Sequence, residues 1–87
     1  GYIKLKILYF AQIKESIGKD QDIIEFKSEI SINELIEELI SKGEKYKKSF
    51  DQIKNLRCAV NCEYTTNYNK ILKNKDEIAF FPPVTGG

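Results

Sequence analysis

Ile30-Ser31-Ile32-Asn33-Glu34-Leu35-Ile36-Glu37-Glu38-Leu39-Ile40 is the stretch whose reading decides the fold. Ser31 and Glu34 have the spacing of a capping box. The Ser31 hydroxyl can accept the Glu34 amide while the Glu34 carboxylate reaches back to the Ser31 amide. Ile30 and Leu35 occupy the positions of a hydrophobic staple, which fixes the angle at which the chain enters the helix. Beyond the cap, Ile32, Leu35, Ile36, Leu39 and Ile40 fall on one face, and Asn33, Glu34, Glu37, Glu38 and Ser41 fall elsewhere. The spacing predicts an amphipathic helix laid on something apolar, with Gly43 as its stop.

The apolar partner is sought on either side. N-terminal to the helix, Ile3, Leu5, Ile7 and Tyr9 alternate with Lys4 and Lys6, the period of a strand with one face in the core. Leu8 and Phe10 interrupt the polar face, so the far end of that strand is expected to be covered on both sides. Ala11 to Ile17 reads as one short helix ended by Gly18. Asp22 to Lys27 (DIIEFK) reads as a second strand after a turn at Lys19-Asp20-Gln21.

On the C-terminal side, Tyr46 and Phe50 stand four apart among lysines, as in a helical turn that tucks two aromatics over an edge of the core. Leu56 to Val60 (LRCAV) is β-prone and ends at Asn61, after which Glu63 to Thr66 either pairs back or continues beyond a bulge. Asn67, Asn69 and Asn74-Lys75-Asp76 are turn material around Ile71-Leu72. Glu77 to Phe81 (EIAFF) is the last strand, ended by Pro82-Pro83, which have no amide to give to a ladder. Strand, strand, helix, strand, strand is the order of an α+β domain, one mixed sheet packed on one main helix.

Size and composition restrict what such a domain does. A chain of 87 residues buries only about 60 to 65% of the surface it exposes unfolded, so the residues that would line a large internal site are needed for the core. Fourteen basic and thirteen acidic residues leave a formal charge of +1, with the signs mixed. No nucleic acid or membrane partner is implied, and Lys42 to Lys48 (KGEKYKK) reads as a solvated helix end. There is no long apolar run and no leader pattern, so the cytoplasm is the expected location. With no His in the chain, Ser-His and Cys-His nucleophile pairs and His metal sites are ruled out. Cys58 and Cys62 match neither a redox nor a zinc spacing and are expected to be reduced thiols, Cys58 structural. Glu37-Glu38 and Asp76-Glu77 are adjacent pairs whose carboxylates point apart. Catalysis by this chain alone is not expected.

What remains is the end of the chain. The sequence divides into residues 1–81, a folded domain, and 82–87, a tail. Pro82 and Pro83 stiffen the tail at its root, and Gly86 and Gly87 make its tip slender. Extended, it reaches roughly 20 Å, enough to thread a channel in another protein. A frayed terminus is the plainer reading of a Gly-Gly end.

Phe80-Phe81-Pro82-Pro83-Val84-Thr85-Gly86-Gly87, preceded by Asp76-Glu77-Ile78-Ala79, resembles the C-terminal signature of the molybdopterin synthase small-subunit (MoaD) family of ubiquitin-like proteins. Ile7 to Glu15 resembles the first strand and helix of that family, and Ala59-Val60-Asn61 its third strand. Between Lys19 and Leu56 only the order of elements agrees.

The resemblance implies a ubiquitin-like β-grasp fold and a sulfur-carrier cycle. An E1-like adenylating enzyme would use ATP to activate the Gly87 carboxylate, since a bare carboxylate is a poor electrophile. Sulfur from a donor protein would then replace AMP, leaving a thiocarboxylate. No cofactor would be bound permanently. Phe81, Pro82, Pro83, Val84, Thr85 and Gly86 would bind the large synthase subunit, in a heterotetramer of two small and two large subunits. Gly87 would there give its sulfur to the cyclic pyranopterin monophosphate precursor to form the molybdopterin dithiolene, two charged carriers serving each product. Carriers for the thiazole of thiamine or for tRNA thiolation, which load through a similar Gly-Gly end, and ubiquitin-like protein modifiers are the alternatives.

Overall fold

The computed structural model describes residues 2–52 and 56–83. In chain order these form β1 (Ile3–Tyr9), α1 (Ala11–Ile17), β2 (Gln21–Phe26), β3 (Ile30–Ser31), α2 (Ile32–Ile40), α3 (Glu44–Gln52), β4 (Arg57–Val60), β5 (Glu63–Thr65), β6 (Ile71–Leu72) and β7 (Glu77–Phe81). Five strands make one mixed sheet in the order β2-β1-β7-β4-β5, and β3 pairs with β6 in a small second sheet. β1 and β7 run parallel at the centre, while the remaining neighbours in the large sheet are antiparallel. This is the expected α+β architecture.

The capping box forms as read. Ser31 Oγ accepts the Glu34 amide at 3.1 Å, and Glu34 Oε1 accepts the Ser31 amide at 2.8 Å. Ile32, Leu35 and Leu39 are fully buried and Ile36 and Ile40 half-buried, which is the stripe predicted for a helix seated on a sheet. The core it covers comes from the inner faces of four strands: Ile3, Leu5, Ile7 and Tyr9 of β1, Cys58 and Val60 of β4, Leu72 of β6, and Ile78 and Phe80 of β7. The expected single main helix is joined by α3, which is equally long. Its Tyr46 is buried and its Phe50 packs edge-on to Phe80, with ring centroids 5.1 Å apart.

The last turn of α2 closes through the Ser41 amide on Glu37 O, the Lys42 amide on Leu39 O and the Gly43 amide on Ile40 O. Ser41 is the C-cap; Gly43, at φ 149°, stands between the two helices, and its carbonyl accepts the Lys47 amide and opens α3. Gly18, at φ 89°, is the left-handed stop of α1. β4 and β5 form a hairpin whose two turn residues, Asn61 and Cys62, both have positive φ (50° and 69°), as a two-residue turn matched to strand twist requires. Glu63 to Thr65 therefore pairs back onto β4. Among the described residues no helix is long and apolar enough to cross a membrane.

Candidate functional site at the end of the central strand

The root of the tail is held firmly. β7 lies between β1 and β4, its Phe80 is fully buried, and the Phe80 carbonyl accepts the Phe10 amide at 3.2 Å. A central strand has ladder bonds on both sides, so the direction in which Pro82 and Pro83 leave the sheet is set by its most rigid element. Pro82 and Pro83 are half-buried. Val84, Thr85, Gly86 and Gly87 lie outside the described residues.

Around that root the sheet presents an apolar outer face. Side chains alternate along each strand, so the residues between the buried ones of β1, β7 and β4 point away from the helices. The registers align Leu8 with Ala79, Ala79 with Ala59, and Ala59 with Tyr64, a row across four strands. Two small alanines, Ala79 and Ala59, stand at its middle. Nearer the tail, Phe81 stands opposite Arg57 and stacks on Tyr64, ring centroids 5.7 Å apart and planes 29° from parallel. Phe10, the residue after β1, has the same outward parity. Phe10 is 48% and Tyr64 60% exposed. At the other end of this face the row turns polar, with Lys4 paired to Glu25 and Lys6 to Glu77.

The exposure of Phe10 corrects the expectation that the far end of β1 is covered on both sides. Leu8 is half-buried and Phe10 open because the helices lie on the inner face only. Ala11 then takes a left-handed conformation at φ 53°, which costs a residue with a Cβ about 1–2 kcal/mol. It turns the chain from strand to helix in one step and leaves Phe10 on the outer side.

Of the residues expected to form the site, the structure places Phe81 at this face, with the half-buried Pro82 and Pro83 next in the chain. Phe10 and Tyr64 were missed. An exposed apolar residue and a buried one look alike in a period-two pattern, and the position of Tyr64 opposite Ala59 depends on a hairpin register that the sequence left open.

The described side chains offer little conventional chemistry. Cys58 is fully buried, and burial pushes its thiol up to about 12, so at neutral pH it is protonated and a poor nucleophile. Cys62 is exposed at the apex of the β4–β5 turn, at the end of β4 opposite to Arg57 and Phe81. No group of three or more His, Cys, Asp or Glu able to hold a metal ion occurs among the described residues.

Comparison with known proteins gives the same outline. The sequence pattern of the ThiS family matches residues 7–87. The molybdopterin synthase sulfur carrier subunit of Haemophilus influenzae is 40% identical over 84 residues, covering 95% of this chain and 99% of that protein. A solved structure proposed as molybdopterin converting factor subunit 1 of Pyrococcus furiosus superposes with a TM-score of 0.78 at 32% identity, over 94% of this chain and 99% of that one. Subunits 1 and 2 of the molybdopterin-converting factor of Helicobacter pylori have been solved as a complex, to which this chain is similar at 26% identity and a TM-score of 0.70, over 98% of this chain and 100% of that one.

Proposed function

The chain belongs to the ThiS family, and from that premise we propose that it is the sulfur-carrier subunit of a molybdopterin synthase. The observation that carries this reading is Phe81-Pro82-Pro83 leaving a central strand beside an open apolar face. A tail so rooted has a fixed starting direction, and a partner that takes the tail also finds an apolar surface on which to seat the domain. The Helicobacter pylori complex and the name of the Haemophilus influenzae relative support the pterin product over the thiazole and tRNA alternatives.

In this reading the Gly87 carboxylate is adenylated with ATP by an E1-like enzyme, and sulfur from a donor protein displaces AMP to leave a thiocarboxylate. The charged tail then enters the large subunit, which holds the cyclic pyranopterin monophosphate and supplies the acid and base groups. The domain itself positions the tail and is not the catalyst. Gly86 and Gly87 have no Cβ, so nucleophiles approach the acyl carbon without hindrance. Leu8, Phe10, Ala59, Tyr64, Ala79 and Phe81 form the surface covered by the large subunit in a heterotetramer of two small and two large subunits. The cycle runs in the cytoplasm, where ATP is at hand and both cysteines stay reduced.

Deleting Gly87, or adding one residue after it, tests the reading. Either change displaces the reactive carbon by about 3.3 to 3.6 Å, and a misplacement of about 1 Å already costs on the order of a hundredfold in a positioned reaction. Both variants are expected to fold normally and to give no molybdopterin with the large subunit and precursor. Product from the Gly87 deletion would overturn the assignment.

A further inference from the structure

Among the described residues β2 is an edge strand of the five-stranded sheet, and its ladder to β1 fixes which of its backbone groups are already used. The Tyr9 amide donates to Asp20 O at 2.9 Å, and the register runs unbroken through Leu8↔Gln21, Ile7↔Asp22, Leu5↔Ile24 and Ile3↔Phe26. Antiparallel pairs alternate between bonded and non-bonded, so Asp22, Ile24 and Phe26 turn their amides and carbonyls toward β1. Gln21, Ile23 and Glu25 turn theirs outward. Their side chains lie on the open face, opposite Leu8, Lys6 and Lys4, and Ile23 is 59% exposed. A continuous strand with an outward apolar residue and neither proline nor bulge is a template for another strand.

We propose that this edge pairs with itself, two copies of the chain joining β2 to β2 antiparallel about a two-fold axis at Ile23. Only Gln21, Ile23 and Glu25 offer outward backbone groups within β2, which limits the possible registers to steps of two residues. The register centred on Ile23 sets Ile23 against Ile23 of the second copy and Gln21 against its Glu25, so every outward group of both strands is bonded. A shift of two in either direction leaves Gln21 or Glu25 facing chain beyond the strand. The charges agree with the same register. Glu25 meets a neutral amide side chain and Asp22 meets Ile24, so no acidic residue of one β2 faces an acidic residue of the other. The contact is one strand wide, well below the roughly 1,000 Å² of a stable interface, and the dimer is accordingly weak and concentration-dependent. Phe81 on β7 and Tyr64 on β5 stay uncovered, so the pairing is independent of the function proposed above.

The test is a dilution series of the full chain from about 1 mM to about 10 µM, the range in which contacts of a few kcal/mol are half-formed, followed by sedimentation and amide NMR. Concentration-dependent shifts are expected at Gln21 to Glu25 and their β1 neighbours. Gln21→Lys puts a cation opposite Glu25 twice in the dimer and tightens it roughly 2- to 30-fold, the effect of two cross-strand ion pairs, whereas Gln21→Glu and Ile23→Lys weaken it. Both positions are exposed, and the monomer fold of each variant is checked by its own spectrum at the lowest concentration. A chain that sediments as a monomer at about 1 mM overturns the proposal. So does equal behaviour of Gln21→Lys and Gln21→Glu, or shifts confined to the face around Phe10 and Phe81.

Discussion

Asp22 shows how much one side chain can hold. Its Oδ2 accepts from the hydroxyls of Tyr9 and Tyr46, each at 2.8 Å, and its Oδ1 from Lys19 at 3.1 Å, which ties β2 to β1 and α3. Burial alone would raise its pKa, but the hydrogen bonds from Tyr46, Tyr9 and Lys19 outweigh this and hold it below the ordinary 3.8. A carboxylate with a depressed folded value contributes stability that is present above its unfolded pKa and is lost as pH falls through the folded one. Urea melts of the wild type should weaken progressively below about pH 4, and Asp22→Asn should flatten that dependence. An unchanged pH profile in the variant would remove Asp22 from the account. Phe81 and Phe10 act outward instead. Replacing either by Asp should leave the fold intact and weaken binding to the large subunit by more than ~1 kcal/mol if they anchor the interface. Calorimetry showing unchanged affinity for both would move the partner face elsewhere.

Among the elements, α2 is the one whose local sequence and tertiary role agree most closely. Its cap, its stripe and its seat on the sheet all follow from Ser31 to Ile40. Leu39→Ala should cost about 2 to 5 kcal/mol, the range for a fully buried leucine, and Ser31→Ala about 0.5 to 2 kcal/mol for the lost cap. Denaturant melts separate these, and a Leu39→Ala loss of a few tenths would mean that the helix does not cover the core. α3 was legible only as a turn bearing Tyr46 and Phe50, because its other residues are polar. Tertiary contact with Tyr9 and Phe80 decides that it is a helix of full length.

At the scale of the whole molecule, the sulfur-carrier reading separates the chemistry from the side chains of the fold. Cys58 fills space in the core and Cys62 sits at a turn far from the root of the tail. A Cys58→Ala, Cys62→Ala double variant that keeps its fold should therefore still form molybdopterin with the large subunit. Loss of product in a well-folded variant, followed by assay of the single changes, would transfer the sulfur to a thiol.

The sequence by itself determined the elements with strong local signals: the Ser31–Glu34 capping box, the alternation of β1, the stop at Gly18 and the break at Pro82-Pro83. Each of these rests on interactions between residues a few positions apart, so spacing alone reveals them. The residue pattern at the end of the chain also pointed to the family before any contact was known. Only the tertiary structure decided that β7 lies between β1 and β4, that β5 folds back onto β4, and that Leu8, Ala79, Ala59 and Tyr64 form one row. It also decided that Phe10 is open. Whether an apolar side chain is covered depends on which layer packs against its face of the sheet, and here the helices all lie on the inner face, leaving the outer one exposed.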